Sequence, residues 1–185
     1  MQGETMNGRN GVDMERVKTL KAVMQENPAA GRRTLSGITS WNGGAHSTTI
    51  VRNFAVPADE PAVLGGTGRG ASPTELMLTA LSACITIGIA YSAAEDGIEV
   101  DSIEIDVAGD LDLRGFLNIG DLRPGLAEIR LAVRVDADAP QELIEELVDR
   151  GYRRSPVAAS LEGRVPVRVC IGREEATLSE PRSGA

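Results

Sequence analysis

The sequence predicts an α+β fold, with mainly antiparallel sheets around a central buried helix. Three observations carry that reading. Residues 76–91 form a run of sixteen residues without a charge, directly behind a strong helix start. Ile103, Ile105 and Val107 alternate with Glu104 and Asp106, and Ile129, Leu131, Val133 and Val135 alternate with Arg130, Ala132 and Arg134. Both patterns have the period of two that marks a strand with one wet face. The order along the chain, strands, helix, strands, helix, strand, is that of an α+β domain.

Taken in order, residues 1–11 are rich in Gly, Asn and polar side chains and read as a disordered start. Residues 13–25 carry Val17, Leu20, Val23 and Met24 at helical spacing, and Asn27-Pro28 ends that short amphipathic helix. Residues 34–41 and 47–56 read as two strands, joined at Asn42-Gly43-Gly44 as a hairpin. Residues 57–70 hold two prolines and four glycines and read as a loop, a flexible lid over the start of the next helix. Ser72-Pro73-Thr74-Glu75 then has the capping-box pattern, a hydroxyl at the N-cap and a glutamate three residues on. Sixteen uncharged residues are short for a membrane span, so the helix they form is expected inside the protein, buried on most of its circumference.

The two alternating strands are expected to pair antiparallel, with the acidic outer face of one against the basic outer face of the other. Their connection, residues 109–125, is long and carries Leu111, Leu113, Phe116, Leu117 and Ile119, an apolar content that calls for a covering surface. Asp138-Ala139-Pro140-Gln141 is expected to cap a second helix through Arg150, with Leu143, Ile144, Leu147 and Val148 as its apolar stripe. Val165, Val167, Val169 and Ile171 form a last strand. The domain organisation read from this pattern is an N-terminal extension with a short helix over 1–33, a folded domain over 34–172 and a flexible tail over 173–185.

Composition narrows the chemistry. The chain has 185 residues, 42% hydrophobic and 25% charged, with 27 Asp and Glu against 19 Lys and Arg. The net charge of -8 argues against a nucleic-acid partner. No apolar run of about 20 residues points to a membrane span, and the first residues lack the apolar core of a secretory signal, so a cytoplasmic location is expected. One histidine and two cysteines leave too few ligands for a zinc site, and no cofactor or metal is expected. What remains for catalysis is a thiol or carboxylates.

Cys84 stands on the central helix in step with Leu76 and Ala80. It reads either as a small, inert core residue or as a reactive thiol. The second requires a cation from elsewhere in the fold, because the helix N-terminus lies about 13 Å away and its dipole fades within a turn. Cys170, beside Arg168, reads as an ordinary strand residue, and a disulfide to Cys84 requires Cα atoms within about 7 Å. Gly65-Gly66-Thr67-Gly68-Arg69-Gly70 lacks the Gly-Lys-Ser/Thr ending of a phosphate loop. Trp41 and His46 read as structural or solvent-facing.

Leu64-Gly65-Gly66, Ser72-Pro73-Thr74-Glu75-Leu76 and Ala80-Leu81-Ser82-Ala83-Cys84 together resemble the OsmC/Ohr family. Gly109-Asp110-Leu111-Asp112-Leu113-Arg114-Gly115-Phe116, Arg123-Pro124-Gly125 and Arg154-Ser155-Pro156-Val157 extend the likeness to roughly residues 35–171. The resemblance implies an interlocked homodimer built around paired central helices, and thiol peroxidase chemistry on organic hydroperoxides. In such proteins the central-helix cysteine becomes a sulfenic acid, a cysteine of a Cys-Pro motif resolves it, and an arginine and a glutamate hold the thiolate.

Carried over by position, Cys84 matches the attacking cysteine, while Ser155-Pro156 replaces the Cys-Pro motif. The usual glutamate position is Thr74, with Glu75 one residue later and about 100° round the helix. The arginine position falls on Ala45 or His46 in one branch and on Arg52, on the second strand, in another. The implied catalytic set is Cys84, Glu75 and Arg52. Two functions follow: a peroxidase whose Cys84 is reduced by an external thiol, or a non-catalytic dimer that binds a small hydrophobic ligand or a partner.

Overall fold

The computed structural model describes residues 9–172; the expectations for residues 1–8 and for the tail beyond Gly172 lie outside them. Two compact units divide the described chain, one of residues 15–79 and one of residues 9–14 and 80–172.

In the first unit, helix α1 (Met14–Glu26) ends where expected: Asn27 caps the 3-10 turn Pro28–Gly31 by accepting from Ala29 N. Strands β1 (Ile38–Trp41), β2 (Ser47–Val51) and β3 (Phe54–Ala58) form an antiparallel sheet in that order. The β1–β2 hairpin turns at Asn42–Gly44 as its sequence requires, with Trp41 opposite Ser47. The expected second strand, 47–56, is two strands instead. The chain folds back at Arg52-Asn53, leaving Val51 opposite Phe54, and Arg52 takes φ +56°. A left-handed arginine is uncommon, and nothing in the alternation of residues 47–56 marks it.

Helix α2 (Pro73–Asp96) begins in the first unit and continues in the second. The uncharged residues run on through Ala94, and Glu95 and Asp96 continue the helix without a breaker until Gly97, which takes φ +75°. By length and composition alone it would cross a membrane, with a mean hydropathy of 1.8 over 18 residues. Its sequence instead serves packing on one side: Leu81, Ile85, Gly88, Ile89, Ser92, Ala93 and Ala94 are buried. Ala80, Ala83 and Ile87, on the other side, are exposed within the chain.

The second unit holds β4 (Val100–Gly109), the single-turn α3 (Leu113–Phe116), β5 (Ile129–Ala137), α4 (Gln141–Arg153), α5 (Pro156–Leu161) and β6 (Val167–Ile171). The sheet order is β4-β5-β6. β4 and β5 pair antiparallel with Glu104 opposite Arg134, and the Arg134 guanidinium bridges Glu104 (3.2 Å) and Asp106 (2.6 Å), the expected meeting of acidic and basic faces. β6 lies parallel to β5, so the sheet is mixed at that edge. Ile129, Leu131 and Val133 of β5, Leu147 and Val148 of α4 and Leu81, Ile85 and Ile89 of α2 are all but fully buried. Each such side chain contributes about 1.5–3 kcal/mol of transfer free energy.

Two local expectations are corrected. Pro140, not Asp138, occupies the N-cap of α4, and no side chain caps it. Residues 9–11 are not loose: Asn10 donates through Nδ2 to Ile98 O (2.8 Å) and accepts at Oδ1 from Val100 N (3.0 Å). Between α4 and β6, Ser155 Oγ accepts from Ala158 N (3.1 Å) and caps α5.

Candidate functional site

The approach to α2 is built from a buried carboxylate. Asp59 follows β3 and is 1% exposed. Its Oδ2 accepts from Thr67 Oγ1 (2.6 Å), Thr67 N (3.1 Å) and Arg69 N (3.1 Å). These bonds, the Thr67 hydroxyl first, hold its carboxyl down to about 2. The segment also pairs in parallel at Ala58 and Ala71. Its glycines answer to this geometry. A Cβ on Gly66 would stand 1.7 Å from Glu60 O and one on Gly70 2.7 Å from Pro57 O, while Gly65 and Gly68 have positive φ. The loop expected as a flexible lid is therefore fastened at both ends, and its glycines are explained without a phosphate.

The capping box at the start of α2 forms as its sequence demands. Glu75 Oε2 accepts from Ser72 N (2.7 Å) and Ser72 Oγ accepts from Glu75 N (3.3 Å), which lowers the Glu75 carboxyl below its ordinary value. Glu75 is thus engaged as a cap. Nine residues at about 100° each also place it on the opposite side of α2 from Cys84.

Cys84 is a free thiol, half-buried, at the border between the exposed stripe of Ala80, Ala83 and Ile87 and the buried face of Leu81, Ile85 and Gly88. That border position leaves the residue neither sealed in the core nor fully in water. Cys170 is also free and is exposed on β6. Arg52 lies in the β2–β3 turn rather than on a strand, with its guanidinium 5.1 Å from the Phe54 ring centroid. His46 backs the hairpin turn through its backbone, donating to Gly43 O (3.1 Å), and Trp41 Nε1 donates to Gly44 O (2.9 Å). Ser155, at the position of the resolving cysteine, is 1% exposed and spends its hydroxyl on the α5 cap.

Two groups were missed in the sequence. Asp59 sits in a Pro- and Gly-rich stretch where a carboxylate passes for a loop residue. Arg154 ends α4 and reaches back to α2. Its guanidinium donates to Ser92 Oγ (3.2 Å) and to Glu95 (3.1 and 3.4 Å), and it lies 5.7 Å from the Tyr91 ring centroid. Arg150 forms a second pair with Asp96 one turn earlier on α4. Among the described residues no cluster of three or more His, Cys, Asp or Glu side chains is arranged for a metal ion.

The family model described as OsmC-like protein matches residues 66–169, a span that contains Cys84 and Ser155. Among solved structures, an OsmC-like protein from Mycoplasma pneumoniae is 22% identical, with a TM-score of 0.66 over 76% of this chain and 96% of that one. An osmotic stress induced and detoxification response protein from Psychrobacter arcticus, so named provisionally, is 19% identical, with a TM-score of 0.64 over 76% and 98%. An organic hydroperoxide resistance protein OsmC from Legionella pneumophila is 18% identical, with a TM-score of 0.58 over 76% and 99%. No curated protein matches this sequence. The structural likenesses establish the shared α+β fold, and with more than half of its length matched by the family model, the chain belongs to the OsmC-like proteins.

Proposed function

We propose that this protein is a thiol-dependent peroxidase that reduces organic hydroperoxides through Cys84, with an external thiol as reductant. The observation that carries the proposal is the border position of Cys84 on α2, half-buried and free, inside the span matched by the family. The Legionella relative, called an organic hydroperoxide resistance protein, supports the choice of substrate class. In the first step the Cys84 thiolate attacks a peroxide oxygen: an S–O bond forms, the O–O bond breaks and the departing alkoxide takes a proton as the alcohol. Sulfur is oxidised by two electrons to a sulfenic acid. With a buried serine at position 155, the second step falls to two external thiols: the first condenses with the sulfenic acid, releasing water, and the second reduces the mixed disulfide. Such a reductant goes with a reducing compartment, which makes a cytoplasmic location part of the proposal.

The proposal includes a homodimer. The exposed stripe Ala80, Ala83 and Ile87 on α2, and the exposed Ile38, Trp41, Ile50 and Phe54 of the first sheet, are apolar surfaces suited to a second copy. In this reading Cys84 is the catalytic group. The resemblance adds Arg52, in its exposed turn, and Glu75, which within the chain is held by its capping box on the side of α2 opposite Cys84. A second reading, a dimer that binds a small hydrophobic molecule or a partner, is favoured by one observation: Leu111, Leu113, Phe116, Leu117, Ile119 and Leu122 are all at least 38% exposed.

Peroxide loss with an organic hydroperoxide and a small dithiol separates the two. The first reading expects turnover by the protein and none by Cys84→Ser. Equal rates in both, with a lipid-like molecule retained in native mass spectrometry, would favour the second.

A further inference from the structure

We propose that Arg154 is the cation that serves the Cys84 sulfur, and that Glu95 holds it in reserve until the sulfur is charged. The inference rests on the reading of Cys84 as the reactive thiol, and it names a residue outside the set drawn from the resemblance. All the groups concerned lie on α2 and at the end of α4, within one unit.

The starting observation is a glycine. A Cβ on Gly88 would stand 3.2 Å from Arg154 Cγ, so the absence of a side chain at 88 lets the arginine stem lie against α2. Gly88 is four residues, about one turn or 6 Å, beyond Cys84. Tyr91 and Glu95 follow at seven and eleven residues from Cys84, which places both within about 20° of it around the helix. Arg154 therefore lies along the same line of α2 as Cys84, its stem next to the adjacent turn and its guanidinium pointing away towards the C-terminal end.

The present partners hold the guanidinium loosely. Its bonds to Glu95, at 3.1 and 3.4 Å, are long for charge-assisted pairs, and the side chain is about one-third exposed. An open pocket of about 510 Å³ lined by Ser92, Glu146, Arg150, Arg153 and Arg154 borders the guanidinium, so it is not packed in on that side. The other cations at this crossing are committed: Arg150 to Asp96 and Arg153 to Asp149. Glu146 is the remaining acid on the cavity wall. When Cys84 ionises, the positive charge of Arg154 exchanges the Glu95 carboxylate for the thiolate, and returns when the sulfur is neutral.

The test reads the thiol itself. In a Cys170→Ser background, the rate of iodoacetamide alkylation of Cys84 is measured against pH for the parent, Arg154→Gln, Arg154→Lys and Glu95→Gln, with thermal unfolding run alongside. The expected result is a profile displaced to higher pH in Arg154→Gln, with about threefold or greater loss of rate near neutrality, and to lower pH in Glu95→Gln, with Arg154→Lys close to the parent. A profile unmoved by both Arg154→Gln and Glu95→Gln overturns the proposal. A purely structural arginine would lower the unfolding temperature without moving the profile. Because the readout involves no peroxide, displaced profiles together with failure of the parent to consume hydroperoxide would sink the peroxidase reading and leave the Arg154 assignment standing.

Discussion

Gly88 of α2 and Gly151 of α4 meet backbone to backbone: a Cβ on Gly88 would stand 2.6 Å from Gly151 O, and one on Gly151 2.5 Å from Ile89 Cγ1. The crossing brings the end of α4, and with it Arg154, against α2. Gly88→Ala or Gly151→Ala is expected to cost about 1–3 kcal/mol through overpacking, against the small gain alanine usually gives in a helix. That loss lowers the unfolding temperature by roughly 2–4 °C per kcal/mol in a chain of this size, measurable by calorimetry. An unchanged or higher Tm in both variants would mean that the helices do not approach this closely.

Asp59 gives a pH signature. Its folded carboxyl sits at about 2, below the ordinary 3.8, because Thr67 and the Arg69 amide bond the charged form. A depressed carboxylate stabilises the folded state fully above its unfolded value, and that contribution fades as pH falls from about 3.8 through about 2. Asp59→Asn is expected to unfold at lower temperature than the parent at pH 7, with the gap closing over that acid window. Parallel melting curves from pH 7 down to pH 2 would remove Asp59 from this role.

Ser155 is expected to matter for folding and not for redox turnover. Ser155→Ala deletes the cap on α5 and should cost about 1 kcal/mol. Peroxide consumption with excess external thiol should be unaffected. A loss of turnover without a loss of stability would show that the hydroxyl takes part in the chemistry.

Cys170 is exposed on β6 and is expected to be dispensable. Cys170→Ser should leave the first oxidation of Cys84 intact, as followed by intact-protein mass. If that oxidation fell equally in Cys170→Ser and Cys84→Ser, the two thiols would be acting as a couple.

Much of the fold was legible because local chemistry and long-range pairing agree. The Ser72–Glu75 capping box lies in four consecutive residues, and the opposite charges of β4 and β5 announce their pairing at Arg134 and Glu104. The turn at Arg52-Asn53 was hidden because its positive φ falls on an arginine rather than on a glycine. The parallel seat of β6 beside β5 depends on contacts remote in sequence, which alternation alone does not encode. At the candidate site, Cys84 was legible from its place on the helix and the residues around it. Arg154 was not, since its approach depends on the Gly88–Gly151 crossing of two helices more than fifty residues apart.

The central claim is that Cys84 is the atom that meets the peroxide. Its most direct test exposes the purified protein to an organic hydroperoxide, traps sulfenic acid with a dimedone-type reagent and maps the adduct by mass spectrometry. The account predicts a stoichiometric adduct on Cys84 that the folded protein forms faster than the denatured chain. Labelling at Cys84 no faster than in the denatured chain would contradict it.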